Sequence, residues 1–191
     1  MEKYLNKLRY VFWEIVHFSI ANKLTVVIVF VVLALDQVSK AIMRSVLTLY
    51  VPVEVIGDFF RLTLVYNRGI SFGIFNSSGV TFIHYLLPFL VVLIIIFLFY
   101  IYLSLARDVH EKVIPWVKVS FGMIWGGALG NLVDRIIFGY VTDFIDVGIG
   151  NVWRFFTFNI ADASITVGTV ILILATLYSD FLKSRVDQKY T

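Results

Sequence analysis

Cysteine is absent from the chain, which excludes a disulfide framework, a thiolate metal site and a cysteine nucleophile. Histidine occurs at three scattered positions, His17, His84 and His110, so a zinc site has few ligands to draw on, and no metal or other cofactor is expected. Charge is scarce as well. Lys and Arg exceed Asp and Glu by only 16 to 13, too small an excess for a nucleic-acid partner. What the chain has in quantity is apolar surface. Hydrophobic residues make up 60% of it, against roughly 45–50% in a soluble domain, and its mean hydropathy is +0.89. Several apolar runs reach the length of about 20 residues that a bilayer crossing needs. The chain reads as an integral membrane protein of one domain.

Four spans are expected, at about 24–42, 80–106, 113–137 and 163–182, with Pro88 a candidate kink in the second. Their orientation follows from lysine and arginine, which collect on the cytoplasmic side. Lys3, Lys7, Arg9, Lys23, Arg107, Lys112, Lys118, Lys183, Arg185 and Lys189, ten of the 16, fall in the N-terminal segment, the second-to-third connection with its flanks, and the C-terminal tail. Both termini are therefore expected in the cytoplasm, with the other two connections facing outward. Over residues 1–21, Leu5, Leu8, Phe12 and Ile15 recur at helical spacing, which predicts an amphipathic extension on the inner leaflet. A cleaved signal peptide fits less well, because the apolar run ends in "DQVSK" rather than at a small-residue cleavage site.

The first outer connection carries a pattern of its own. In "VPVEVIGDFFRLTLVY", Val51, Val53 and Val55 alternate with other residues, Gly57-Asp58 is a turn pair, and Phe60, Leu62, Leu64 and Tyr66 alternate again. That is strand, turn, strand. Such a hairpin suits the membrane surface, or an extended peptide added as a further strand.

Ionisable residues near the outer span ends carry the chemistry, since a charge at mid-membrane costs roughly 2.5–3.5 kcal/mol. Asp36 and Lys40 stand four apart, in reach of each other as a self-neutralising pair. In the third span, Gly122, Gly126 and Gly130 repeat every four residues, the spacing that lets a neighbouring helix approach closely. Gly127, Gly130, Asn131 and Asp134 fall within an arc of roughly 100°. Asp134 reads as neutralised by a cation, while Asn131 and Arg135 are free to point into a site. In the last outer connection stand Asp143, Asp146 and Asp162, none with a cation within four residues. Such acids are most often solvated loop residues, and Asp162 is also placed to cap the fourth span. The same placement suits a carboxylate facing a second one. Two carboxyls a few ångströms apart share a proton, one acting as base and the other as acid. Without metal or cysteine, that chemistry is peptide hydrolysis by activated water. Spacing leaves open whether Asp143 or Asp146 is the partner.

The motifs "DQVSK", "NRGISFGIF", "GNLVDR", "VTDFIDV" and "FNIADASI", in that order over about residues 24 to 182, resemble lipoprotein signal peptidase (signal peptidase II), an aspartyl peptidase of the bacterial cytoplasmic membrane. Residues 1–21 lie outside the resemblance. It implies an all-α membrane fold of four transmembrane helices with a small extracytoplasmic β-hairpin or cradle at about residues 50–76, the peptidase domain being 22–191. It implies Asp143 and Asp162 as the catalytic pair, against Asp146. Asp134 matches a supporting acid, paired by position with Arg135. Asn67, Asn131, Arg135 and Asn159 match residues that line the site or hold the peptide backbone, and Asp36 and Lys40 organise it from behind. The implied reaction is hydrolysis just before the diacylglyceryl-modified cysteine of a prolipoprotein, by a monomer in contact with membrane lipid and blocked by globomycin. Two other classes compete with this reading. A small proton-coupled transporter predicts acids near the midplane and an inverted repeat, and no repeat is visible. A non-catalytic scaffold has no use for polar groups beside a glycine seam.

Overall fold

A backbone in lipid has to satisfy its own hydrogen bonds, so long apolar runs form helices there. The computed structural model describes residues 22–69, 77–150 and 152–190; the amphipathic helix expected over residues 1–21 lies outside them. The helices are α1 (Lys23–Val46), α2 (Ser77–Asp108), α3 (Ile114–Phe138), entered through a single 3-10 turn at Glu111–Val113, and α4 (Ile160–Tyr190). Four stretches are long and apolar enough to cross a membrane: Lys23–Val46, Tyr85–Asp108, Glu111–Phe138 and Ile160–Arg185. These are the four expected spans, with ends shifted by a few residues. Pro88 lies inside α2, which runs through it as one helix.

The third span is the least apolar, with a mean hydropathy of 1.2 against 2.0 to 3.0 for the others, and the most enclosed. Helix α3 touches each of the other three. A helix walled by protein rather than lipid tolerates glycine, amide and carboxylate, and α3 carries all of these. Two of its glycines set the spacing to α1. A Cβ on Gly122 would lie 2.8 Å from Ile28 Cβ, and one on Gly126 would lie 2.8 Å from Val32 Cβ. Close approach of this kind is how helices bind each other in lipid, where burial alone offers no drive. Towards the other end, Tyr102, Val113, Val117, Phe121, Trp125 and Ala175 form a buried cluster. In it the Tyr102 ring meets Phe121 and Trp125 edge-on, at 5.1 and 5.3 Å between centroids.

The two connections expected to face outward are one structure. Strands β1 (Val53–Ile56), β2 (Phe60–Asn67), β3 (Val141–Ile149) and β4 (Trp153–Arg154) form an antiparallel sheet in the order β1-β2-β3-β4. The expected hairpin is β1–β2. The strand character of residues 141–149 was not expected, and it corrects the reading of Asp143 and Asp146 as solvated loop acids: both are buried. Strand β3 is covered on both faces for most of its length, so it shows no hydrophobic alternation. Its register sets Asp143 opposite Val65, Thr142 opposite Tyr66 and Val141 opposite Asn67.

Candidate active site

At one end of the bundle, where α1 and α3 finish and α4 begins, the polar residues converge. Asp143 projects from β3 and is 2% exposed. Its Oδ1 accepts from Asn159 Nδ2 at 2.7 Å, and its Oδ2 accepts from Asn67 Nδ2, at the end of β2, at 3.0 Å. Burial pushes the Asp143 carboxyl up to about 6; the amide of Asn67 opposes that shift, and the charge of Asp162 adds to it.

Asp162 stands in the first turn of α4. The Asn159 side chain accepts the Asp162 N–H at 2.9 Å, and Asp162 Oδ2 accepts the Asn159 N–H at 3.3 Å. This is a reciprocal cap. It occupies one carboxylate oxygen; Oδ1 is held instead by Asn131 Nδ2 at 2.8 Å. The expected capping role is therefore real, and it coexists with a place in the polar site. Asn131 Oδ1 in turn accepts from Asn159 Nδ2 at 3.1 Å and from Lys40 Nζ at 2.9 Å. Two amides thus join the two carboxylates into one network. An ammonium can only donate, so Lys40 fixes which way the Asn131 amide faces, and Asn131 presents its NH₂ to Asp162.

Behind this network lies a buried ionic cluster. Lys40, fully buried, is 2.8 Å from Asp36 Oδ2, as its i,i+4 spacing predicts, and 3.4 Å from Asp134 Oδ2. Arg44 Nη1 lies 3.5 Å from Asp134 Oδ1. Two carboxylates and two cations balance, which makes so much buried charge tolerable. Asp36 Oδ1 also accepts the Ala161 N–H at 2.9 Å, so α1 caps the start of α4. The glycines explain the fit. A Cβ on Gly130 would overlap Asp36 Oδ2, and one on Gly127 would overlap the Ala161 carbonyl.

The expected pairing of Asp134 with Arg135 is corrected here. Consecutive residues on a helix point about 100° apart. Asp134 turns to Lys40, to Arg44 and to the Thr142 N–H, which it accepts at 2.8 Å. Arg135 turns the other way, where its strongest charge partners are Asp162 and then Asp143; its Nη1 donates to Asn131 O at 3.4 Å. Asp146 stands apart from the network: its carboxylate takes Arg154 Nε at 2.7 Å and the Thr63 hydroxyl at 2.9 Å. Of the residues singled out from sequence, Asp143, Asp162, Asn67, Asn131, Asn159, Asp134, Asp36 and Lys40 are joined by these hydrogen bonds, with Arg135 beside them.

Gln37, Arg44 and Thr142 were missed. Gln37 Nε2 donates to Asp36 Oδ2 at 3.1 Å and to Gly130 O at 3.0 Å. Arg44 had a legible signal, since it follows Lys40 by four residues on the face that begins at Asp36.

Known proteins resemble the chain in sequence and in fold. Residues 28–178 match the family model described as signal peptidase (SPase) II. The chain belongs to the signal peptidase II family. It is 40% identical over 162 residues to a lipoprotein signal peptidase of Pseudomonas syringae pv. tomato, covering 85% of each chain. With the lipoprotein signal peptidase of Halothermothrix orenii it shares 38% identity over 148 residues, 78% of this chain and 91% of that one. A bacterial membrane enzyme structure obtained by the in meso method at 1.9 Å resolution is similar with a TM-score of 0.61 and 31% identity, covering 79% of this chain and 90% of that one. Membership of signal peptidase II makes the chain a peptidase of the aspartyl type, and it leaves the transporter reading without support.

Proposed function

We propose that Asp143 and Asp162 are the catalytic pair of this signal peptidase II, and that they cut the signal peptide from a prolipoprotein just before its diacylglyceryl-modified cysteine. One observation carries the assignment: Asn159 and Asn131 tie these two carboxylates, and not Asp146, into one network at the end of the bundle. Asp143, raised to about 6, is the partner that carries the proton when the pair holds one. Asp162 takes a proton from water as the water oxygen attacks the scissile carbonyl carbon, and Asp143 gives its proton to the carbonyl oxygen. When the tetrahedral intermediate collapses, the C–N bond breaks, the leaving nitrogen collects the proton from Asp162, and one hydroxyl of the former diol returns its proton to Asp143. Asn67 and Arg135 hold the peptide main chain, since small side chains offer few handles.

On this reading both termini lie in the cytoplasm and the pair at the outer boundary of the bacterial inner membrane, an orientation that the lysine and arginine bias supports. There the unwound end of a signal helix meets water while its diacylglyceryl group stays in lipid. Residues 22–191 form the peptidase domain, acting as a monomer. The exposed Tyr50, Phe59, Trp153, Phe155 and Phe156 around the sheet suit the lipid interface, where aromatic rings settle. The test is processing of a lipid-modified precursor by Asp143→Asn and Asp162→Asn enzymes. Each keeps its size and loses the shared proton, so precursor accumulates in membranes that contain normal amounts of enzyme. Cleavage at the normal rate by either variant overturns the assignment. Globomycin blocks the wild-type reaction on the same reading.

A further inference from the structure

The peptide leading into Asp143 is gripped on three sides. Thr142 is fully buried. Its N–H donates to Asp134 Oδ2 at 2.8 Å, its carbonyl accepts from Asn159 Nδ2 at 3.3 Å, and its hydroxyl accepts from Arg44 Nη1 at 2.8 Å. Asp134 and Asn159 already belong to the polar network; Arg44 is additional. It sits in the last turn of α1, with its guanidinium 4.4 Å from the centroid of the Phe138 ring at the end of α3. A planar cation stacked on a ring and hydrogen-bonded at its edge has little freedom to swing. Through this one side chain, α1, α3 and β3 are held in fixed relation.

The bland account is that Arg44 only balances the charge of Asp134, 3.5 Å away. Lys40 already lies 3.4 Å from that carboxylate, and charge balance gives no reason for the shorter bond to the Thr142 hydroxyl. Successive strand residues point to opposite faces. A clamp on the Thr142 side chain, behind the strand, therefore sets how far Asp143 projects in front of it.

Resting on the reading of Asp143 as catalytic, we propose that Arg44 is a positioning residue for the reaction: it acts through Thr142 to hold the Asp143 carboxyl where Asn159 and the substrate meet it. The two accounts separate on one substitution. Arg44→Lys keeps the charge near Asp134 and loses the planar guanidinium over the Phe138 ring. Charge balance alone predicts full rescue; positioning predicts restored stability with a lowered kcat.

The experiment uses the purified full-length enzyme in lipid-detergent micelles with a diacylglyceryl-modified precursor peptide. Arg44→Ala, Arg44→Lys, Thr142→Val and the Arg44→Ala/Thr142→Val double variant are compared, with Asp143→Asn as reference. Displacement of a reacting group by about an ångström costs up to ~100-fold in rate, so kcat falls about 10- to 100-fold in Arg44→Ala and Thr142→Val. KM stays within about twofold, because the interaction lost is not made with substrate. The double variant is no slower than the slower single one, the signature of two residues acting as a unit. Arg44→Lys unfolds like the wild type and still turns over several-fold more slowly. Wild-type kcat in Thr142→Val, full rescue by Arg44→Lys, or a change confined to KM each overturn the proposal. Thr142→Val guards against an Arg44→Ala chain that fails to fold, because it removes only a hydroxyl. If Asp143→Asn is inactive while the Arg44 variants are normal, only the positioning role falls. If Asp143→Asn itself cleaves normally, the catalytic assignment falls first.

Discussion

Replacing Asp143 by Asn is expected to stabilise the protein at neutral pH and not at acid pH. In the folded chain the carboxyl titrates at about 6, against 3.8 for an unperturbed Asp. A raised folded value means that the native state holds more protons than the unfolded one between those two pH values. Stability therefore falls as pH climbs from about 4 to about 6 and stays lowered above that. Two units at 1.36 kcal/mol each give a penalty of ~3 kcal/mol at pH 7.5. Asparagine removes the penalty but turns its NH₂ towards one of two donors, Asn159 Nδ2 or Asn67 Nδ2, which costs about 1–2 kcal/mol at any pH. The variant should thus gain about 1–2 kcal/mol at pH 7.5 and lose a similar amount at pH 4. Reversible unfolding in mixed micelles, with wild type and variant side by side at both pH values, reads the difference directly. A difference that does not change with pH would refute the claim that burial strains this carboxylate.

Three further outcomes follow from the same geometry. Lys40→Met leaves Asp36 and Asp134 buried with one cation fewer, and should cost about 3–5 kcal/mol in an unfolding titration; unchanged stability would mean that the cluster is not neutralised through Lys40. Gly127→Ala drives a methyl into the Ala161 carbonyl, so α4 must shift at the turn that carries Asp162. Its kcat should drop at least about tenfold while the enzyme still reaches the membrane. Asp146→Asn breaks the bond to Arg154 Nε outside the polar network, so melting should fall by a few degrees while activity per folded molecule stays close to wild type.

Much of the fold and part of the site could be read from the chain alone, for identifiable reasons. The spans announce themselves by length and apolar content. The β1–β2 hairpin shows period-two alternation around Gly57-Asp58, and the pair Asp36–Lys40 shows helical spacing. The glycines at 122, 126, 127 and 130 foretold close packing, although not that Gly122 and Gly126 face α1 while Gly127 faces α4. The choice between Asp143 and Asp146 was hidden, because it depends on which face of β3 each occupies. A strand buried on both faces carries no pattern to reveal that. Only the resemblance favoured Asp143, and the contact of Asp146 with Thr63 and Arg154 supplies the physical reason for Asp146 to stand aside. Asp134 was misassigned to its sequence neighbour because its cations arrive from another helix, 94 and 90 residues back in the chain.

The account rests on one proton divided between Asp143 and Asp162, and carbon-13 NMR of the aspartate carboxyls in lipid-detergent micelles observes it. Asp143→Asn and Asp162→Asn samples supply the assignments. The expected Asp143 signal titrates near pH 6 and moves to lower pH when Asp162 is replaced by Asn, because the negative charge that opposes its ionisation is gone. An Asp143 curve near pH 4, or one unaltered when Asp162 is replaced, would contradict it.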